Sequence, residues 1–271
     1  MKIAVLGPNG MLGHGVTACF NNFIKIETVE IDRSMFDVLK HDISKLLPMI
    51  KECDAVINCI GVIKPMIDKY TVEEVLKINC TFPKNLAKLC ALHCIPCFHI
   101  TTDCAYTGTK GQYDEMSYLD ATDLYGLSKI AGETSECMTI RTSIVGEEKG
   151  EGRSLLSHVM RQRGKAMNGF ENHFWNGVTT THLAFLISCI LKYAKYKCGV
   201  FHVFTKNSVS KRELLDIFNQ VYDLGIKITP VDASTSCDRT LTTIRLLNNS
   251  LVPYDLLKQI TQMKEIFDVQ R

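Results

Sequence analysis

The 271-residue sequence has no block of lysine and arginine, no apolar run long enough to span a bilayer, and no N-terminal signal-peptide layout. The first absence argues against a nucleic-acid partner. The other two argue against a membrane or secreted protein, so a cytoplasmic chain is expected. No internal repeat, low-complexity tract or obvious linker divides the chain, and there is a single tryptophan, Trp175. A second CxxC pair is also missing. Twelve cysteines are present, and Cys90, His93, Cys94, Cys97 and His99 crowd together. Cys94 and Cys97 have the spacing of a zinc or redox pair, yet they stand alone, and Pro96 falls where a helix hands over to a strand. Reduced thiols packed as small apolar groups are the expectation, with no metal. With 46% hydrophobic and 22% charged residues and a formal net charge of +2, the composition is that of an ordinary globular chain. Its length suits one large α/β domain, or a core domain with a small second lobe.

Short apolar runs alternate with helical patterns through the first half. Strands are expected over 2–7, 24–31, 55–58, 97–101 and 138–142, and helices over 11–20, 43–51, 72–92 and 125–136, with Pro83 breaking or kinking the long one. Apolar strands without polar alternation point to a Rossmann-type, doubly wound parallel sheet covered on both faces. The second half is less regular. Helices are expected over 154–163, 181–195 and 253–267, and strands over 200–204 and 226–231. Ser210 and Glu213 form a capping box before LLDIFNQVY. We expect a dinucleotide-binding domain over 1–150, with part of the later chain returning to it. Residues 151–271 then form mainly a smaller, interwoven substrate lobe.

The stretch GPNGMLG joins the first strand to the first helix, where a glycine turn lets a pyrophosphate approach a helix N-terminus. Gly7, Asn9, Gly10, Met11, Leu12 and Gly13 are therefore candidate cofactor residues. The bland alternative is a simple turn. Asp32 has the spacing of a ribose-binding acid after the second strand, and Arg33 beside it is suited to a 2′-phosphate. NADPH is expected, with NADH the alternative. Asn58, Cys59 and Gly61, in NCIGVI, end the third strand, where ligands bind in open α/β sheets. Asn79 either ties this crevice together by hydrogen bonds or lies on a helix surface.

In YGLSK, Tyr125 and Lys129 are four residues apart and share a helix face. A cation there is expected to lower the phenol's pKa and make Tyr125 a general acid near neutral pH. The stretches GPNGMLG, INCIGVI, KINCTFPKNLAKLC, TTDCAYTG, DATDLYGLSKIAGE and RTSIVG run in this order over about the first two thirds of the chain. In them the sequence resembles the extended short-chain dehydrogenase/reductases, and more closely the dTDP-4-dehydrorhamnose reductase-like branch, which acts on nucleotide 4-keto-6-deoxy sugars. The resemblance implies a triad of Thr102, Tyr125 and Lys129. In it Thr102 holds the C4 ketone oxygen, Tyr125 protonates it, and Lys129 binds nicotinamide ribose. It also implies a homodimer.

Cys104 stands where plain dTDP-4-dehydrorhamnose reductases usually have tyrosine. GDP-fucose synthases and plant-type rhamnose-forming enzymes, which invert C3 and C5 before reducing C4, have cysteine. Inversion needs a titratable group on each face of the sugar. By the same resemblance His158, in SLLSHVM, is the second group, with Lys165 the fallback. The structural alternatives are a buried small residue for Cys104 and a surface or core histidine for His158. Among candidate substrate contacts, Asn168 follows the presumed acid helix. Trp175 either stacks on the sugar or base or plugs the gap between lobes. Arg239 meets a diphosphate or is a surface arginine. Three functions are carried forward. The first is an NADPH-dependent 3,5-epimerase/4-reductase converting UDP-4-keto-6-deoxyglucose to UDP-L-rhamnose. The second is a dTDP-type reductase without epimerase activity. The third is a non-catalytic, cofactor-binding regulatory subunit.

Overall fold

The computed structural model describes residues 1–150, 152–245 and 254–269. In the first half β1 (Lys2–Leu6) leads into α1 (Met11–Ala18), then β2 (Glu27–Ile31), the short α2 (Leu47–Ile50) and β3 (Ala55–Asn58). There follow α3 (Val72–Leu76), α4 (Phe82–Leu92), β4 (Cys97–Thr102), α5 (Leu124–Ala131) and β5 (Met138–Thr142). The second half runs β6 (Ile144–Val145), α6 (Leu155–Met160), β7 (Ala166–Phe170), β8 (His173–Trp175), β9 (Val178–Thr179), α7 (Thr180–Lys192) and β10 (Gly199–His202). It ends with β11 (Val209–Ser210), α8 (Lys211–Val221), β12 (Lys227–Val231), β13 (Cys237–Asp238) and α9 (Leu256–Asp268).

Six parallel strands form the main sheet in the order β10-β5-β4-β3-β1-β2. Alternate residues feed two separate cores. Ile3, Val5, Ala55, Ile57, Phe98 and Ile100 face α1, α7, α8 and α9. Ala4, Leu6, Val56 and Cys97 face α2, α3 and α4. Burial on both faces is why these strands read as unbroken apolar runs. The chain leaves β1 for β2 on one side and returns to β3 on the other. The carboxyl ends of β1 and β3 therefore flank the switch point where such sheets bind ligands.

The second half is interwoven with the first. β10 joins the main sheet beside β5, and α7 packs along α1. Three small sheets make the lobe above: β11-β8-β13, the parallel pair β7 and β12, and the pair β6 and β9.

Several boundaries differ from the sequence expectation. The strand expected from Ile24 begins at Glu27, because α1 runs on into a π-turn over Cys19–Ile24. Lys25, at φ 61°, then reverses the chain. The long helix is broken by a π-turn over Lys77–Thr81, just ahead of Pro83. Pro83 itself sits in the first turn of α4, where its missing N–H costs nothing. Helix α5 stops at Ala131, capped by Gly132. Pro253, expected to open the last helix, lies outside the described residues.

Candidate active site

The cofactor end is built by the turn between β1 and α1. Gly7 has φ +77°, its N–H bonds Ile31 O at 3.0 Å, and its carbonyl accepts from Gly10 N at 3.3 Å. A Cβ at Gly13 would lie 2.2 Å from Gly7 O, so the turn folds tightly onto the first turn of α1 only with glycine there. At Gly10 a Cβ would meet nothing closer than 3.7 Å, and this open side faces the cleft. The N-terminus of α1 has no side-chain cap, which leaves its first N–H groups for an anionic ligand. These features fit a dinucleotide pyrophosphate. Met11 and Leu12 line the cleft as well, whereas Asn9 is exposed and does not.

Asp32 departs from expectation. Its Oδ1 accepts from Ser34 N at 2.9 Å, Ser34 Oγ at 2.6 Å and Met35 N at 3.2 Å, bonds that also lower its pKa. A local Asx turn engages Oδ1 of the carboxylate that was expected on ribose, and Asp32 lines neither cleft. Arg33 does line the outer cleft, of ≈ 220 Å³. Asp37 Oδ2 fixes its Nε at 3.1 Å and Tyr70 meets its Nη1 at 3.5 Å. At the other wall Asn58, Cys59 and Gly61 reach the inner cleft. Asn79 is fully buried. It accepts from Val62 N at 2.8 Å and donates to Val62 O and Ser128 Oγ, both at 3.0 Å. It thus ties the turn after β3 to α5, the hydrogen-bonding alternative of the two considered.

The inner cleft, ≈ 470 Å³, brings Thr102, Cys104, Tyr125 and Lys129 together with Ser143 and Leu155. β4 ends at Thr102, whose Oγ accepts from Cys104 N at 3.1 Å. Asp123 caps α5 through Gly126 N, and the helix turns Tyr125 and Lys129 to the same side. Tyr125 and Thr102 line the same cleft. Lys129 donates to Ile100 O at 2.9 Å, and burial lowers its pKa to about 8. The phenol does not behave as expected: burial raises its pKa, as do Cys104, Asp103 and Asp123, and the neighbouring Thr102 hydroxyl only partly offsets this. Desolvation outweighs the cation, whose ammonium is turned to a backbone carbonyl. Tyr125 is thus held protonated.

Cys104 sits in the cleft beside Thr102, but burial and then Asp103 push its thiol up to about 11, against the pull of Arg239. His158 is not in the cleft. Helix α6 spans only Leu155–Met160. It buries Leu156 and Val159, turns Leu155 to the cleft and leaves His158 exposed. Lys165 is also exposed, on the turn before β7, with Nζ 3.5 Å from Arg161 O. Asn168 points outward from β7. None of these three lines the cleft. Trp175 is buried in the core between sheet and lobe, against Gly177, and so acts as the plug. Arg239 is the opposite case. Its Nε bonds Tyr106 O at 2.9 Å and its Nη1 lies 3.9 Å from Cys104 Sγ, so it reaches the site from the second lobe and is no surface residue. Sequence reasoning passed over Asp103. It is buried between Thr102, Cys104 and Ser143, with Arg239 nearby, and burial raises its pKa. Its place inside TTDC was the available signal. Of the crowded cysteines, Cys90 and Cys97 are buried and Cys94 is exposed. Among the described residues no group of His, Cys, Asp and Glu is arranged to hold a metal ion, and no helix is long and apolar enough to cross a membrane.

The six-stranded parallel sheet and the glycine turn before α1 are those of a Rossmann-like fold. More narrowly, the chain belongs to the RmlD substrate binding domain family, whose model matches residues 1–242, and it is dTDP-4-dehydrorhamnose reductase-like. It is similar to the probable low-salt glycan biosynthesis reductase of Haloferax volcanii, 27% identical over 172 residues, which are 58% of this chain and 57% of that relative. Among solved structures it is similar to dTDP-4-dehydrorhamnose reductase from Bacillus anthracis in complex with NADP. That match has TM-score 0.81 and 18% identity, and covers 97% and 98% of the two chains. MoeE5 in complex with UDP-glucuronic acid and NAD has TM-score 0.75 and 14% identity, with 100% of each chain covered.

Proposed function

We propose that the protein is an NADPH-dependent reductase of a nucleoside-diphosphate 4-keto-6-deoxy sugar. The observation that carries this reading is the convergence of Thr102, Tyr125 and Lys129 on a cleft continuous with the Gly7–Gly13 turn. The turn and the uncapped start of α1 hold the pyrophosphate, and Arg33 meets the 2′-phosphate. A bound nicotinamide supplies hydride. Thr102 and Tyr125 hold the substrate's carbonyl oxygen, and Tyr125 gives it the phenolic proton as charge develops there. Lys129 Nζ, anchored on Ile100 O, would hold the nicotinamide ribose. Because its pKa is about 8, kcat/KM is expected to fall as pH rises through that value and the ammonium is lost. A pH–rate profile checks this. Arg33→Ala is expected to raise the Kd for NADPH about tenfold or more while leaving that for NADH nearly unchanged. Equal losses for both would remove the 2′-phosphate role.

A second reading adds inversion at C3 and C5, with UDP-4-keto-6-deoxyglucose going to UDP-L-rhamnose in one site. Cys104 in the cleft favours it. Against it stand a thiol held protonated and the absence of His158 from the opposite wall. An NMR time course in heavy water separates the two. The reductase reading expects no deuterium at C3 or C5, and turnover only once a separate epimerase has acted. Deuterium at both carbons with the purified chain alone would establish the second, and Cys104→Ser should then abolish the exchange. Tyr125→Phe with the biological role intact would favour a cofactor-binding regulatory subunit. A homodimer in the cytoplasm is our proposal for assembly and location.

A further inference from the structure

His99 and Asn58 are paired in register on the adjacent strands β4 and β3, and each is about 1% exposed. Asn58 Oδ1 accepts the backbone N–H of Ile60 at 3.1 Å, which fixes the orientation of the amide. Its Nδ2, which can only donate, then lies 3.2 Å from His99 Nδ1. That contact is a hydrogen bond only when Nδ1 is the acceptor, so the tautomer assigned by the network is the neutral one with its proton on Nε2. Burial, and after it the ammonium of Lys129 on α5, hold the imidazole well below its ordinary pKa, in keeping with that form. His99 Nε2 makes no hydrogen bond, so Asn58 is the ring's one polar contact among the described residues.

The turn that Asn58 governs is the wall shared by the two clefts: Cys59, Ile60 and Gly61 line both. Its first residue is tied to β1, with Cys59 N–H on Leu6 O at 3.0 Å, and two side chains hold the rest. Asn79 grips Val62 through both N–H and carbonyl, and Asn58 grips Ile60. The Asn79 grip is independent of His99. The Asn58 grip is not, because an Asn58 amide freed from the imidazole can rotate away from Ile60.

We propose that His99 is a positioning residue for the cofactor crevice: from the adjacent strand it locks the Asn58 amide, and through it the Ile60–Gly61 turn against which the dinucleotide would lie. The effect on the dinucleotide rests on the function proposed above; the effect on the turn does not.

The test compares His99→Leu, which removes the acceptor, with His99→Gln, which restores one as an amide oxygen. Hydrogen exchange at the Ile60 amide, Kd for NADPH, and kcat at saturating NADPH are measured for both. His99→Leu is expected to speed Ile60 exchange and weaken NADPH binding, each about tenfold. Its kcat stays within about threefold, because no group touching the reacting oxygen has changed. His99→Gln returns both quantities to near wild type. Wild-type protection of Ile60 in His99→Leu would overturn the proposal. Should that variant fail to fold, fast Ile60 exchange in a folded His99→Gln overturns it equally, and slow exchange there upholds the acceptor role. If Ile60 responds as expected but the wild-type chain binds no NADPH, the cofactor reading fails and the role of His99 in the turn stands.

Discussion

Tyr125→Phe is expected to lower kcat for ketone reduction by a factor of about 10²–10⁴, with the Kd for NADPH changed by less than about threefold. The size follows from the group's task. Thr102 and Tyr125 line the same cleft, so both hydroxyls are placed to hold a carbonyl oxygen, and of the two only the phenol is acidic enough to give up a proton there. Desolvation raises the phenol's pKa, which keeps the proton in place until charge on the substrate oxygen draws it off. Phenylalanine preserves the ring and its packing and removes one oxygen. The loss therefore falls on kcat and kcat/KM equally, the mark of an interaction made in the transition state. Single-turnover kinetics with a 4-keto sugar nucleotide measures it. A loss below about fivefold would mean that some other group delivers the proton. The buried Asp103, whose pKa is raised and which adjoins Thr102, would be the first to test.

What the sequence made legible was local. Gly7 and Gly13 announce a turn because a positive φ and a backbone contact of 2.2 Å tolerate no side chain, and both constraints act within seven residues. Tyr125 and Lys129 announce a site because a helix brings residues four apart together whatever surrounds it. Four of the five main strands of the first half were found because both their faces are buried; the second, an edge strand with Glu27 and Glu30 exposed, proved shorter than expected. Placement differed from expectation where a neighbour or a distant partner decides. Asp32 has the expected spacing, but Ser34 offers its Oδ1 two donors at once and the residue lines neither cleft. His158 was placed on the site by analogy of position. In a helix of six residues the outcome depends on phase, which is set by Leu156 and Val159 seeking the core. Arg239 was discounted because nothing near it in sequence suggests a partner. Its contacts, Tyr106 and Cys104, lie more than 130 residues away. Of the small strands of the second lobe only β12 was expected; the others, two to five residues long, carry too little pattern to be read, and there the pairing makes the strand.

A second large effect is expected outside the two clefts, at an ion pair whose carboxylate also raises the Lys129 pKa. Glu133 and Arg141 form a two-pronged ion pair, Nε–Oε1 2.7 Å and Nη2–Oε2 2.6 Å, with side chains 9% and 5% exposed. Arg141 also donates to Tyr106 at 2.9 Å. That phenol in turn donates to Asp114 O, and its ring stacks on Tyr113 at 4.2 Å. The pair fastens the end of α5, which carries Tyr125 and Lys129, to β5 and to the loop that follows Cys104. Glu133→Ala strands a buried guanidinium and is expected to destabilise the fold by about 3–5 kcal/mol. The double change Glu133→Leu with Arg141→Met replaces both charges with apolar groups. It is expected to recover much of that loss, because the large penalty belongs to the unpaired charge more than to the missing attraction. Urea unfolding of the wild type, the single variant and the double variant decides it. A double variant as unstable as the single one would assign the stability to the geometry of the network around Tyr106. In that case α5 would depend on this ion pair for its placement, and kcat should fall along with stability.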